Sequence, residues 1–295
     1  MTTLVAAVEC GSLSAAGRRL GMPLATVSRK VSELEAHLGV RLLHRSSRRL
    51  TLTDAGHSYL AACQRILAEI DEAERAAAGE YSAPRGELVI TAPIVFGRLH
   101  VLPVALEFLA TYPDIDLRVE LSDRMANLFE ERVDVAVRIG ELPDSSLLAR
   151  GVGTVRRVVC GSPAYLARRG TPRRPDDLRQ HDCITFEGLA APDAWTFRVG
   201  SPTSTVAIHS RLVVNTAEAA IDAAVAGTGL TRVLSYQSAG AERAGALTRV
   251  LRAFETGPSP VNVVYLGQPL LPLKVRAFLD FATPRLKDAL SRLAE

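Results

Sequence analysis

The 295-residue chain changes its pattern once, at Ser82–Ala83–Pro84–Arg85–Gly86. Before this breaker-rich stretch, apolar residues recur at the three- and four-residue spacing of helices. After it, short β-branched runs alternate with helical segments. These two periodicities bury their apolar faces in different ways, so the chain must fold as at least two units, as its length also suggests. With 47% hydrophobic and 23% charged residues, it is excluded from the disordered and collagen-like classes.

The first unit reads as short helices closed by a small hairpin. Leu4, Val5 and Val8 stripe a first helix, Gly11–Ser12 breaks it, and Ser14 is expected to cap a second helix reaching Leu20. Gly21–Met22–Pro23 is a turn. A third helix carries Val27, Val31, Leu34 and Leu38 on one buried face, and Gly39 stops it. Arg41–Leu42–Leu43 and Leu50–Thr51–Leu52 read as strands around a polar tip, Arg45–Arg49. Thr53–Asp54 then caps a helix to about Ala78. Its apolar residues Tyr59, Cys63, Ile66, Ile70, Ala73 and Ala77 fall at heptad spacing, which suits a seam with a second copy of the chain. The plainer alternative is a helix packed on its own domain.

Residues 13–32 carry the strongest functional signal. A helix-turn-helix needs a small residue where its helices touch, a turn glycine and a branched residue docking the second helix; Gly17, Gly21 and Val27 supply them. With Val27, Val31 and Leu34 inward, Ala25, Arg29, Ser32 and Ala36 face outward, flanked by Thr26 and Ser28. Such a face can approach base edges and phosphates. The hairpin that follows reads as a wing with Arg45, Arg48, Arg49 and Thr51 near a minor groove. Residues 1–60 hold eight Arg and Lys against four acids, net +4, which leaves −1 for the rest. Double-stranded DNA is the expected partner of this basic head. A helical hairpin with a solvated face is the alternative.

Beyond the linker, strands at Leu88–Thr91, Ile115–Leu121 and Val133–Ile139, with helices at Val101–Thr111 and Asn127–Arg132, spell βαβαβ, hence a parallel, doubly wound sheet. A second such unit has strands at Val155–Cys160, Ile184–Phe186, Trp195–Phe197, Leu212–Val214 and Leu230–Val233, with helices near Tyr165 and at Ala217–Ala226. Val261–Tyr265 and an amphipathic tail, Leu273–Leu293, close the chain. Ligands of such lobes sit beyond the carboxyl ends of strands, at helix amino termini. Candidate effector-binding residues are therefore Pro93, Ile94, Val95 and Phe96, Arg138 and Gly140, and Asn215 with Thr216, where Asn215 is read as a helix cap. An organic anion suits these termini and Arg138.

The segment Gly11–Gly56, GSLSAAGRRLGMPLATVSRKVSELEAHLGVRLLHRSSRRLTLTDAG, closely resembles the amino-terminal domain of LysR-type transcriptional regulators. The stretches T-A-P-I at Thr91–Ile94, D-V-A-V-R-I-G at Asp134–Gly140 and A-x-x-A-G-x-G-L ending at Leu230 are similar to their effector domain. The resemblance implies an α/β fold with an all-α/winged-helix amino-terminal domain: a winged helix-turn-helix over 1–55, a dimerising linker helix over 54–80, and two Rossmann-like lobes of periplasmic-binding-protein type. Lobe I would span 87–160 plus 266–295 and lobe II 161–265. By position, DNA contacts carry over to Thr26, Ser28, Arg29, Ser32, Arg45, Arg48 and Arg49; Ser14 and Thr51 complete the candidate face. The resemblance also implies a homodimer or homotetramer, a small-molecule effector between the lobes and a contact with RNA polymerase. Gly17 stands where alanine is common in the family. Glycine inside a helix costs roughly 0.5–1 kcal/mol, so a marginal second helix is expected.

Other chemistries find little footing. No H-E-x-x-H or G-x-S-x-G occurs, and G-V-G-T-V-R at Gly151–Arg156 lacks the third glycine of a dinucleotide fingerprint. An enzyme is not expected, although a small-molecule-binding protein or enzyme on the two-lobed scaffold is one alternative. The cysteines form no C-x-x-C, so neither metal nor cofactor is expected. Cys160 and Cys183 as a thiol-redox switch form the other alternative; their apolar neighbours favour inert thiols. No run of 18 uncharged apolar residues and no signal sequence is visible, so the expectation is a cytoplasmic protein without a membrane partner.

Overall fold

The computed structural model describes residues 1–45, 50–77, 83–124, 128, 131, 133–142, 147–186, 193–199, 203–267 and 271–294. The chain divides into two compact units, Met1–Ser82 and Ala83–Glu295.

The first unit runs α1 (Thr2–Glu9), α2 (Leu13–Leu20), α3 (Leu24–Leu38), β1 (Leu43–Arg45), β2 (Leu50–Leu52) and α4 (Asp54–Ala77). Ser12, rather than Ser14, caps α2: its backbone is extended and its Oγ accepts the Ala15 N–H at 3.1 Å. A cap must lie outside the helical φ/ψ region. Ser14 already sits in the first turn, exposed. The three helices close over Leu4, Val31, Leu42 and Leu43 and over Ala6, Ala7, Ala16 and Val27. Gly17 belongs at the crossing, where a methyl would stand 2.7 Å from the Met22 carbonyl oxygen. The helical cost of this glycine is thus set against close packing of the turn.

The inner face of α3 differs from expectation at its end. Leu38 is 36% exposed, and Glu35 is buried in the same region. The reason is a need for acceptors: Glu35 Oε1 takes the N–H groups of Leu42 at 2.8 Å and Leu43 at 3.1 Å, two backbone donors that enter the wing without strand partners. β1 accordingly starts at Leu43, two residues later than expected, with Leu43 opposite Leu52 and Arg45 opposite Leu50. Arg48 and Arg49 lie outside the described residues. Thr53 caps α4 as expected. Its Oγ1 accepts the Gly56 N–H at 2.9 Å and donates to the Arg41 carbonyl at 2.7 Å. Gly56 is buried so tightly that a methyl there would overlap the Leu42 carbonyl.

The second unit contains two five-stranded sheets. The elements are β3 (Gly86–Ala92), α5 (Ile94–Thr111, with a π turn at Gly97–Val101), β4 (Ile115–Leu121), β5 (Val135–Ile139) and β6 (Leu147–Val155). After Arg156 come β7 (Arg157–Gly161), α6 (Pro163–Arg169), β8 (Asp182–Phe186), the hairpin β9 (Ala194–Arg198) and β10 (Thr203–Ala207), and β11 (His209–Val214). The chain continues through α7 (Ala217–Val225), β12 (Leu230–Leu234), α8 (Ser235–Arg243) and β13 (Thr248–Val250), then β14 (Ser259–Leu266) and α9 (Leu273–Ala294). The first sheet has the order β4-β3-β5-β14-β6, the second β11-β8-β12-β7-β13.

Both sheets correct the all-parallel expectation. β3 is parallel to β4 and β5, and β8 to β11 and β12, but β14 runs antiparallel to β5 and β6, and β7 to β12 and β13. The antiparallel strands are those next to the two crossings between lobes, where no βαβ connection imposes parallel pairing. The crossings come at Arg156 and between β13 and β14. β7 therefore lies wholly in the second sheet and β14 in the first, which moves the lobe boundaries off 160 and 265. β6, β10, β13 and α8 were not anticipated, and the expected helix at Asn127–Arg132 falls mostly outside the described residues.

Among the described residues, α5 is long and apolar enough to cross a membrane by length and composition alone. Here it is a core helix that buries Val95, Phe96, Val101, Val104 and Phe108 in the first lobe. Its two charges, Arg98 and Glu107, pair with Glu218 and Arg285.

Candidate functional site

Two places collect polar groups around open surface. On α3, Val27 and Val31 anchor the helix, which leaves Ala25, Ser28, Arg29 and Lys30 exposed, with Thr26 and Ser32 half-buried beside them. Arg29 Nε stands 3.7 Å from Glu33 Oε1, both side chains well exposed. A pair of this kind contributes about 0–1 kcal/mol, so the guanidinium can turn to another acceptor. Thr51 is exposed on β2, and the Arg45 backbone pairs with Leu50. Lys30, missed as a candidate, is exposed next to Arg29. It lies about 200° round the helix from Ser32, beside the inward stripe, so the outward-face projection could not select it.

In the second unit, Pro93 and Ile94 are half-buried at the start of α5, whereas Val95 and Phe96 belong to the first lobe's core. The Ile94 N–H does not await a ligand: it donates to Asp123 Oδ1 at 3.0 Å. Thr216, rather than Asn215, caps α7, its Oγ1 accepting the Ala219 N–H at 3.2 Å; Asn215 is exposed. The extended backbone at Thr216 is the cap geometry. Gly140 donates its N–H to the Pro260 carbonyl at 2.9 Å. Arg138 is half-buried near the end of β5; burial lowers its pKa, and the Glu131 charge acts in the opposite sense.

Apart from Phe96, the lobes meet through groups that the sequence reading did not select. Arg98 Nη2 of α5 bonds Glu218 Oε1 of α7 at 2.8 Å. Tyr236 of α8 presents its ring edge-on to Phe96, 5.3 Å between centroids, and lies 5.8 Å from His100. His100 Nε2 is buried without a hydrogen-bond partner among the described residues, and burial lowers the imidazole pKa. Asp123, Arg157 and Glu218 all lie within electrostatic reach of the Tyr236 hydroxyl, whose pKa is raised by burial first. Arg98, one of only two charges on the otherwise apolar α5, was the available signal.

These two arrangements match known proteins along the whole chain. The family model for the LysR-type bacterial regulatory helix-turn-helix matches residues 1–57, and that for the LysR substrate binding domain matches residues 82–287. The chain belongs to the LysR-type transcriptional regulators. It is a DNA-binding transcriptional regulator with an effector-binding domain. Its relatives include an HTH-type transcriptional regulator of Xanthomonas campestris, 40% identical over 96% of this chain and 83% of that one. An HTH-type transcriptional repressor of Pseudomonas aeruginosa is 38% identical over 95% and 89%. Among solved structures, CrgA of Neisseria meningitidis is 33% identical, covers 97% of both chains and has a TM-score of 0.63. The virulence activator AphB of Vibrio cholerae is 28% identical, covers 95% and 96%, and has a TM-score of 0.62.

In this LysR-type regulator the placement of Cys160 and Cys183 does not favour a thiol switch between them. Cys160 packs with Ala220 and Val233 on one face of the second sheet, and Cys183 with Tyr165 and Trp195 on the other. β12 runs between their strands. Burial pushes both pKa values up to about 12, so neither presents a thiolate at neutral pH. Among the described residues, no three metal-ligating side chains converge.

Proposed function

We propose that the regulator reads its operator through the outward face of α3, with Arg29 as the principal base-reading side chain, Thr26, Ser28 and Ser32 on phosphates, and Ser14, Arg45, Arg48, Arg49 and Thr51 supporting contacts. The observation that carries this reading is the exposed run of small and hydroxyl residues around one lightly held guanidinium on α3. Two copies would join through α4, where Ile66 and Ile70 are 37% and 46% exposed beyond the buried Cys63. Such a dimer, or a tetramer built from it, would set the half-site spacing. RNA polymerase contact, a cytoplasmic location and the absence of catalysis belong to the same reading. Relatives named a repressor and an activator support either sign of regulation.

The effector would be a small organic anion bound at the carboxyl ends of the strands in the second unit, near Pro93, Ile94, Arg138, Gly140, Asn215 and Thr216. Its binding would favour one lobe arrangement over another and so change DNA bending or spacing. The test is a footprint of the full chain on its own upstream region. Arg29→Ala should weaken operator binding by about 1–3 kcal/mol and relax preference at one base position. Unchanged operator affinity in Arg29→Ala would refute the assignment of the α3 face.

A further inference from the structure

The second sheet carries two cations side by side with no counter-charge among the described residues. β12 runs antiparallel to β7 with Leu234 opposite Arg157 and Arg232 opposite Val159. Side chains two apart on a strand share a face, so Arg157 and Arg232 are diagonal neighbours across the strand pair. Both are half-buried. Burial lowers the pKa of Arg157; it brings that of Arg232 down to about 10, with the Arg157 charge adding to the effect. Arg232 Nη2 donates to the Thr196 carbonyl at 2.7 Å, and its guanidinium lies 5.5 Å from the centre of the Phe197 ring. The neighbour that Arg157 senses is the Tyr236 hydroxyl. Among the described residues, no carboxylate pairs with either arginine.

The contrast lies on the same sheet. Arg249 of β13 is held by both carboxylate oxygens of Glu255, at 2.6 and 2.5 Å. Two like charges withdrawn from water with no such partner are costly to hold together. Their position matters as well. Leu234 ends β12, and Arg157 stands opposite it, so the pair lies toward the carboxyl ends of parallel β8, β11 and β12, the ligand edge of an open α/β sheet.

We infer that Arg157 and Arg232 hold the acidic end of the effector, and that this end is a compact oxyanion with two negative charges. The inference rests on the reading that the second unit binds a small molecule. A dianion between the guanidiniums removes their repulsion, and the planar fork of Arg157 can donate two N–H bonds to it in bidentate fashion.

The test is thermal unfolding of the full chain at constant ionic strength, with malonate, inorganic phosphate or acetate as probe. Malonate or phosphate should raise Tm by about 5 °C near saturation, whereas acetate should not. Whichever dianion acts distinguishes a dicarboxylate from a phosphate group. Arg157→Gln should raise the ligand-free Tm, because one of the two repelling charges is gone, and should abolish the dianion response. A purely structural role for Arg157 would lower the ligand-free Tm instead. Arg157→Lys, which keeps the charge and loses the fork, should fold as the wild type does and bind the dianion at least tenfold more weakly. The inference is overturned if neither dianion moves the wild-type Tm, or if the response survives in both variants. Operator affinity with and without the probe tests the effector reading separately. A compound that alters operator affinity and binds Arg157→Gln as tightly as the wild type would overturn the arginine pair and leave the effector reading standing.

Discussion

The two units hold their functional groups in opposite ways. In the first, the scaffold is tight and the candidate contacts are loose: Gly17 and Gly56 bring backbones into direct contact, Glu35 is locked by two N–H groups, and Arg29 is exposed with only a distant acid. In the second, the candidate groups are themselves engaged, Asp123 on the Ile94 N–H and Glu218 on Arg98. A DNA surface is met from outside, so its readers must reach, and only the frame need be rigid. A small ligand is enclosed, so the groups around it are built into the lobes, and some serve as internal partners. The contrast says where a mutation should break folding and where it should shift an equilibrium.

The largest effect is expected from Gly56→Ala. The added methyl meets the Leu42 carbonyl, which no side-chain rotation can relieve, and overpacking against backbone should cost about 3 kcal/mol. Calorimetry of the full chain should show the first unit melting earlier, with the second unchanged. Glu35→Ala strands the N–H groups of Leu42 and Leu43 and should cost about 2 kcal/mol, read as a lower denaturation midpoint together with weaker DNA binding. Loss of DNA binding at unchanged stability would contradict the role of Glu35 as part of the frame.

The smaller effects belong to the second unit. Because burial holds the His100 pKa below its ordinary 6.5, the unfolded chain takes up that proton first as pH falls. Stability is then full above about pH 6.5 and declines below it. Denaturation midpoints at pH 5 and 7 should show this, with a smaller difference in His100→Gln. Least of all, the Arg98–Glu218 pair should couple by roughly 0.5 kcal/mol in a double-mutant cycle on stability, since both side chains are substantially exposed. Its larger consequence would be for effector affinity, and equal affinities across the cycle would remove the pair from any closure mechanism.

The same contrast explains what was legible in the sequence. Helix-turn-helix geometry depends on local spacing, so Gly17, Gly21, Val27 and Thr53 could be placed from residue type alone. Ser14 was misjudged because Ser12 and Ser14 offer the same hydroxyl, and only backbone conformation separates them. Glu35 was missed because its partners lie seven and eight residues on, at the entry to β1. In the second unit the strands of the parallel cores were visible as apolar runs. β6 was not, because Gly151 and Gly153 interrupt it. Nor could spacing reveal the antiparallel returns of β7 and β14, or the meeting of Arg157 with Arg232, 75 residues apart in sequence. Such contacts are set by topology.

Gly56 has a mechanical consequence. The first turn of α4 lies against the Leu42 carbonyl at the entry to the wing, leaving no room for even a methyl, with Cys63 buried two turns further along. A rotation of the helix about its axis should therefore carry the hairpin with it, as through a keyed shaft. The phase between the anchored half of α4 and the exposed Ile66 and Ile70 is therefore a fixed quantity. Removing a single residue between Cys63 and Ile66 would turn the exposed stripe by about 100° relative to the wing.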